Sequence, residues 1–256
     1  MQKETEKIDS SDIMEGMTSI SAVIKVIENN ATTRKIETVL VDSAKRKSKE
    51  REIAFLKRKS ESVGFSIEYV SEDAISELAV GNSHGGIIAF CTPREIPALD
   101  LNSIKDNGIY YLLEGVEDPY NFGYAVRSIY ASGGDGIILT PRNWMGVAGV
   151  VARSSAGASE IIDMYVSDAE EAIDLFRKKG YTVACAGIRD SVSIFDADLK
   201  KPLFVILGGE KRGISRAVLD KADKIIRIDY GNDFNGSLST AAATAVFAFE
   251  IFRNNK

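Results

Sequence analysis

The only histidine of this chain is His84, in the first third of the sequence. From residue 96 onward there is no imidazole base, no serine–histidine pair and no histidine metal ligand. Cys91 and Cys185 lie far apart with no CxxC, which argues against a zinc site and against a disulfide framework. The side chains left for chemistry are carboxylates, one guanidinium and hydroxyls: Glu114, Glu117, Asp118, Arg127, Glu210, Ser237 and Ser239. They offer acid–base groups, a permanent cation and hydrogen bonds. His84 itself, in NSHGG before an apolar run, reads as a turn residue.

Three segments hold most of these groups. Gly115 to Arg127 reads GVEDPYNFGYAVR, Val205 to Ser215 reads VILGGEKRGIS, and Ser237 to Glu250 reads SLSTAAATAVFAFE. Asp118 and Pro119 make a turn, because proline fixes φ and pushes the preceding residue to extended geometry. Asn121 is the expected helix N-cap, with Arg127 about two turns further on; alone, such an arginine is a surface salt bridge. Gly208 and Gly209 follow a strand and Gly213 opens a helix, without the GK[ST] of a nucleotide loop or the GxGxxG of a dinucleotide fold. Ser237 or Ser239 caps the last helix, and Ala241, Ala242, Ala243, Ala245 and Ala248 give it a small-residue face. Apolar runs that turn into helices are where open α/β sheets bind ligands.

The elements that must position these groups divide the chain in two. Its 256 residues, 45% hydrophobic and 27% charged, suit one or two globular domains, and two is the better reading. Up to about Phe90, helical and β-rich stretches alternate as in a small α/β/α sandwich, here residues 12–95. Thr92 to Ser103 holds two of the five prolines and no periodicity, so a linker is expected at 96–103. Residues 104–256 resume the alternation with strands such as LFVIL, apolar throughout, as in a parallel sheet covered on both faces. No leader pattern and no apolar run near the ~18 residues of a membrane span occur, so a cytoplasmic protein is expected.

Net charge is −5, against a uniformly basic coat. A local patch departs from it. Between Val41 and Ser60 stand Lys45, Arg46, Lys47, Lys49, Arg51, Lys57, Arg58 and Lys59 against Asp42, Glu50 and Glu52. This is either a solvated helix face or a phosphate-binding surface.

Together the three segments resemble the SpoU (TrmH-like) branch of the SPOUT RNA methyltransferases. The first resembles its DPxNxGxxxR signature, the second its LGxExxGxS signature, and the third its SLNxS signature followed by an alanine-rich helix. RSSAGAS (residues 153–159) looks like the family's intervening segment, and residues 12–95 look like its ribosomal-protein-like substrate-binding module, including an HxG turn at His84, Gly85 and Gly86. The resemblance spans essentially the whole chain. It implies a parallel-sheet SPOUT domain with a C-terminal trefoil knot, a homodimer, and methyl transfer from S-adenosylmethionine to a ribose 2'-hydroxyl of ribosomal or transfer RNA, with no metal.

Carried over residue by residue, the resemblance implies a catalytic and structural polar set of Asn121, Arg127, Glu210, Ser237 and Ser239. It implies cofactor contacts at Gly208, Ile228 and Leu238, largely through backbone, with Gly209 and Gly213 in the same loop. Lys45, Arg46, Lys47, Lys57 and Arg58 become the expected RNA contacts. A guanidinium with pKa above 12 is a poor base, so Arg127 is expected to clamp a phosphate and stabilise the developing alkoxide, and Glu210 to orient its loop or Asn121. Two departures stand out: Ser239 replaces the family asparagine, and Ile228, Asp229 and Tyr230 replace a frequent Ile-Pro-Met, before a slightly longer loop. A non-catalytic RNA-binding or ribosome-assembly protein and a base-modifying SPOUT enzyme are the alternatives.

Overall fold

The structure, a computed structural model, describes residues 13–79, 81, 84–140, 148–209 and 213–256. The first part runs β1 (Ile13–Glu15), α1 (Gly16–Glu28), β2 (Ile36–Asp42), a 3-10 turn at Ser43–Lys45, α2 (Glu50–Val63), β3 (Ser66–Val70), α3 (Glu72–Leu78) and β4 (Ile87–Cys91). Next come β5 (Ile109–Glu114), α4 (Pro119–Ala131), β6 (Gly136–Leu139), α5 (Ala148–Ser154), α6 (Ala158–Ile161) and β7 (Asp163–Val166). The chain closes with α7 (Ala169–Lys178), β8 (Thr182–Ala186), β9 (Val192–Ser193), β10 (Leu203–Gly208), α8 (Arg216–Asp220), β11 (Lys224–Arg227) and α9 (Thr240–Asn254). Contacts divide it into two compact units, one within Met1–Glu95 and Asn143–Ile161, the other within Ile96–Arg142 and Ile162–Lys256.

In the first unit the sheet order is β1-β4-β2-β3, with β2 and β3 parallel and β4 antiparallel to both its neighbours. The period of two sorts the side chains. Val39, Val41, Ile87 and Ala89 face Ile20, Val23, Ile24 and Leu56 of α1 and α2, while Leu40 and Ile88 meet Ile75 of α3. The stretch 148–161 packs here although it lies late in sequence. Arg153 pairs with Glu15 at 2.5 Å and the buried Arg34 with Glu160 at 3.1 Å. Gly157, at φ +82°, sits where a Cβ would fall 2.5 Å from the Ala22 methyl. RSSAGAS therefore makes its contacts with the first unit, and its sequence neighbours in the 104–256 stretch make theirs elsewhere.

The second unit has a seven-stranded sheet, β7-β6-β5-β10-β8-β11-β9, in which every strand pairing is parallel. Its middle strands β5 and β10 are buried for five consecutive residues, which is why their sequences show no alternation. Phe176 of α7 stacks on Phe204 at 4.1 Å and meets Tyr110 and Tyr181 at 5.1 and 5.0 Å between ring centroids, which fixes one helix layer on the sheet. Residues 97–99, expected within a linker, instead run beside β7: Leu99 N–H donates to the Val166 carbonyl and Val166 N–H to the Pro97 carbonyl, both at 2.9 Å. Leu99 is buried in the core, so an aperiodic, proline-bearing stretch serves as sheet edge.

Helix starts follow short polar side chains. Asp118, not Asn121, caps α4: its carboxylate accepts the Tyr120 N–H at 3.1 Å, with Pro119 in the first turn where no amide is needed. Asn121 lies inside the first turn instead. Of the two serines proposed to cap α9, Ser239 does so, accepting the Ala242 N–H at 3.2 Å. Among the described residues no helix is long and apolar enough to cross a membrane.

Candidate functional site

The carboxyl ends of β8, β10 and β11 enclose a cavity of about 640 Å³ within the second unit. Ala186 ends β8 and Gly187 and Ile188 follow it, Gly208 ends β10 and Gly209, Gly213 and Ile214 follow it, and Ile226 to Ile228 lie at the end of β11. The wall is completed by Tyr230, Phe234 to Leu238, and Thr240, Ala243 and Phe247 of α9. The order of strands makes this possible. β10 inserts between β5 and β8, so the loops after three strands distant in sequence open side by side.

Close backbone approach explains the glycines. A Cβ on Gly209 would lie 2.2 Å from the Gly115 carbonyl oxygen, and one on Gly208 would lie 2.8 Å from the Gly213 Cα. Gly209 N–H donates to the Glu114 carbonyl at 2.7 Å, Gly213 N–H to the Gly209 carbonyl at 3.0 Å, and Ser215 N–H to the Glu114 carboxylate at 3.3 Å. The segment after β5 and the segment after β10 are thus fastened to each other main chain to main chain. Gly213 adopts φ +62°, the left-handed region that favours glycine.

All five expected cofactor contacts, Gly208, Gly209, Gly213, Ile228 and Leu238, line this one cavity, as does Ser237. Ser239 faces its own helix as the cap and is not among the lining residues. Asn121 and Arg127 lie on α4, which packs against α9. Asn121 is half-buried; Arg127, about 9 Å further along the axis by helical rise, is exposed and has no ion pair or hydrogen bond among the described residues. The ordinary surface-salt-bridge role of such an arginine is not realised. Glu210 lies outside the described residues.

The rim carries its own electrostatics. Arg227 pairs with Asp229 at 2.7 Å and donates to the Ser191 carbonyl at 2.5 Å. The Ser193 hydroxyl, and after it Arg227, hold the Asp229 carboxyl below its usual range. Beneath the cavity, burial pushes the Cys185 thiol up to about 12, with Glu114 and Asp223 adding to the effect, so no reactive thiolate is offered.

The five expected RNA contacts fall into three kinds. Lys45 is engaged by Asp42 at 3.4 Å and Glu72 at 3.3 Å, and the Glu72 contact chiefly raises its pKa. Arg46 stacks its guanidinium 4.1 Å over the Tyr69 ring. Lys47, Lys57 and Arg58 are exposed and unpaired among the described residues. His84 accepts the Gly86 N–H at 3.1 Å through Nδ1, a turn contact as the sequence suggests.

Sequence reasoning missed the β8 contribution, Ala186 to Ile188, and the aromatic residues Tyr230, Phe234 and Phe247. The strand end TVACAG was legible, but only strand order shows that it adjoins β10. Tyr230 was noticed as a departure and not as a cavity wall.

An open parallel sheet with a glycine-lined cavity at its strand ends defines an α/β protein built to hold a small ligand against backbone. The profile of the SpoU rRNA Methylase family matches residues 108–249, and the chain belongs to that family. A putative TrmH family tRNA/rRNA methyltransferase of Staphylococcus haemolyticus is 32% identical over 73% of this chain and 77% of its own length. The 23S rRNA (guanosine-2'-O-)-methyltransferase RlmB of Shewanella oneidensis is 29% identical over 96% of this chain and 98% of its own. In fold, the chain is similar to an AdoMet-bound rRNA methyltransferase from Sinorhizobium meliloti, with TM-score 0.74 and 24% identity, covering 94% of this chain and 86% of that one.

Proposed function

We propose that this protein methylates a ribose 2'-hydroxyl of ribosomal or transfer RNA, with S-adenosylmethionine as the donor. The observation that carries this reading is the single cavity walled by the second and third signature segments, to which the first is fastened through Glu114 and Gly115. The residues present fit the donor. A cavity near 640 Å³ is of ligand size, its apolar walls Ile188, Ile226, Ile228 and Leu238 suit an adenosine, and its glycines expose main-chain groups for polar contacts. The relatives named for 2'-O-methylation support the same reaction.

When bound, S-adenosylmethionine would supply a sulfonium methyl to the ribose 2'-oxygen, the S–CH3 bond breaking as the O–CH3 bond forms and the hydroxyl proton passing to solvent. The chain's own residues align and stabilise, since positioning of two reactants is worth about 7–11 kcal/mol. Gly208, Gly209 and Gly213 hold the donor side close to backbone. Arg127 clamps an RNA phosphate with its guanidinium fork while stabilising charge on the 2'-oxygen. Asn121 and Ser237 complete the polar set. Lys47, Lys57 and Arg58 of the first unit take RNA phosphates, and Lys45 and Arg46 edge that surface.

Two assembly features belong to this reading. β11 lies beyond β8, yet α9 returns to pack on α4, so residues 228–239 recross the carboxyl ends of the strands; this supports a C-terminal trefoil knot. Tyr124, Phe249 and Phe252 are exposed on α4 and α9, an apolar surface suited to a second copy in a homodimer. The protein acts on cytoplasmic RNA and its chemistry uses no metal. Calorimetric titration with S-adenosylmethionine, followed by transfer assays on ribosomal and transfer RNA, tests the reading. Donor binding without transfer to any RNA would favour a non-catalytic RNA-binding protein, a reading to which the capping role of Ser239 lends its one observation.

A further inference from the structure

Residues 230–238, between β11 and α9, are held by one hydrogen bond among the described residues. Residues 231–237 are all exposed, with glycines at Gly231 and Gly236. Among the described residues, the only hydrogen bond made by residues 230–238 is from the Leu238 N–H to the Tyr230 hydroxyl oxygen, at 3.2 Å. The Tyr230 ring lies 5.7 Å from that of Phe234, centroid to centroid and tilted by 56°. Phe234 in turn covers Gly236, where a Cβ would fall 2.4 Å from the ring tip. Both rings and Leu238 line the cavity, although Tyr230 and Phe234 remain 41% and 55% exposed. Leu238 lines the cavity and is followed by Ser239, whose side chain caps α9, so this part of the wall is held by the helix on one side and by a single phenol on the other.

We propose that Tyr230 is a positioning residue for the methyl donor: its hydroxyl holds the Leu238 backbone, and its ring with Phe234 closes the cavity on the α9 side. This rests on the reading of the cavity as the S-adenosylmethionine site. A loop with two glycines and few contacts samples many conformations, and ordering it on ligand binding costs affinity. The Tyr230 bond removes part of that cost beforehand. The pair belongs to the donor side rather than to RNA, because the charged groups that flank it along the chain are acidic as much as basic: Asp229 and Asp233 against Arg227. That balance suits a cationic sulfonium better than a phosphodiester.

Tyr230→Phe keeps the ring and deletes the hydroxyl. Calorimetry is expected to show S-adenosylmethionine binding weakened about three- to tenfold, the scale of one neutral hydrogen bond. KM for the donor rises in parallel, kcat at saturating donor stays within about twofold, and RNA affinity is unchanged. Hydrogen exchange of the Leu238 amide should quicken in the variant without donor, a readout independent of turnover. Phe234→Leu, with the hydroxyl intact, should weaken donor binding while leaving Leu238 exchange slow. Unchanged donor affinity in Tyr230→Phe overturns the proposal, and so does a loss confined to kcat or accompanied by general unfolding in circular dichroism. Failure of the parent protein to bind the donor at all would instead remove the reading of the cavity on which it rests.

Discussion

Gly209→Ala places a methyl group where the chain has no room. Its carbon would stand 2.2 Å from the Gly115 carbonyl oxygen and 2.5 Å from that carbonyl carbon, both backbone atoms, whereas real Cβ contacts essentially never fall below 3.0 Å. The two segments must separate by nearly 1 Å, and that motion stretches the 2.7 Å bond from Gly209 N–H to the Glu114 carbonyl. Overpacking of this kind costs about 1–3 kcal/mol, and a weakened backbone hydrogen bond adds about 1 kcal/mol. At roughly 2–4 °C per kcal/mol for a domain of this size, the melting temperature should fall by about 5–15 °C. Donor affinity should drop at least tenfold, because Gly209 lines the cavity. Gly231→Ala is the internal control: its Cβ meets nothing within 4 Å, so stability should stay within about 0.5 kcal/mol. Differential scanning calorimetry with and without S-adenosylmethionine reads both effects. A Gly209→Ala protein that melts within about 1 °C of the parent and binds the donor equally would refute the argument that the two segments meet there.

Further outcomes follow from the same geometry. Arg127→Lys should lower kcat/KM for RNA by about 10²-fold, the scale of losing one preorganised charge contact, with donor affinity and melting temperature unchanged because the residue is exposed; full turnover would sink the clamp. Ser239→Ala removes the cap of α9 and should cost about 1 kcal/mol in thermal melts, which Ser239→Asn should recover. Reversing Lys47, Lys57 and Arg58 to glutamate should weaken RNA binding and flatten its salt dependence, by roughly 0.7–0.9 in slope per lost phosphate contact, while unchanged binding in a salt titration would count against that surface. The neutral thiol of Cys185 is favoured in the fold, so its contribution to stability is full below the unfolded thiol pKa and is lost as pH rises towards about 12; native protein at pH 9 should therefore resist iodoacetamide at Cys185 by mass spectrometry, and rapid labelling there would contradict its burial.

The parallel sheet was legible because its central strands LFVIL and IYYLL are apolar without alternation, the mark of strands covered on both faces. The glycine loop was legible as a binding turn for the same local reason. What the sequence hid was order in space: nothing in TVACAG says that it lies between β10 and β11, so Ile188 went unassigned. Residues 97–99 were hidden too, since one edge pairing leaves no periodicity to read. RSSAGAS and the Glu160 that follows it lie between β6 and β7 in sequence, yet their polar anchors, Glu15 to Arg153 and Arg34 to Glu160, join residues more than a hundred positions apart. Asn121 was displaced from the cap because Asp118 and Pro119 start the helix earlier, as the proline at its first position allows.

The central claim is methyl transfer to a ribose oxygen. The measurement that tests it most directly is incubation of the protein with isotopically labelled S-adenosylmethionine and either ribosomal or transfer RNA, then complete digestion to nucleosides and mass spectrometry of the labelled product. The account predicts label on a 2'-O-methylribose, formed much more slowly by Arg127→Lys and, at limiting donor, by Gly209→Ala. Label on a nucleobase, or none on any RNA despite donor binding, would contradict it.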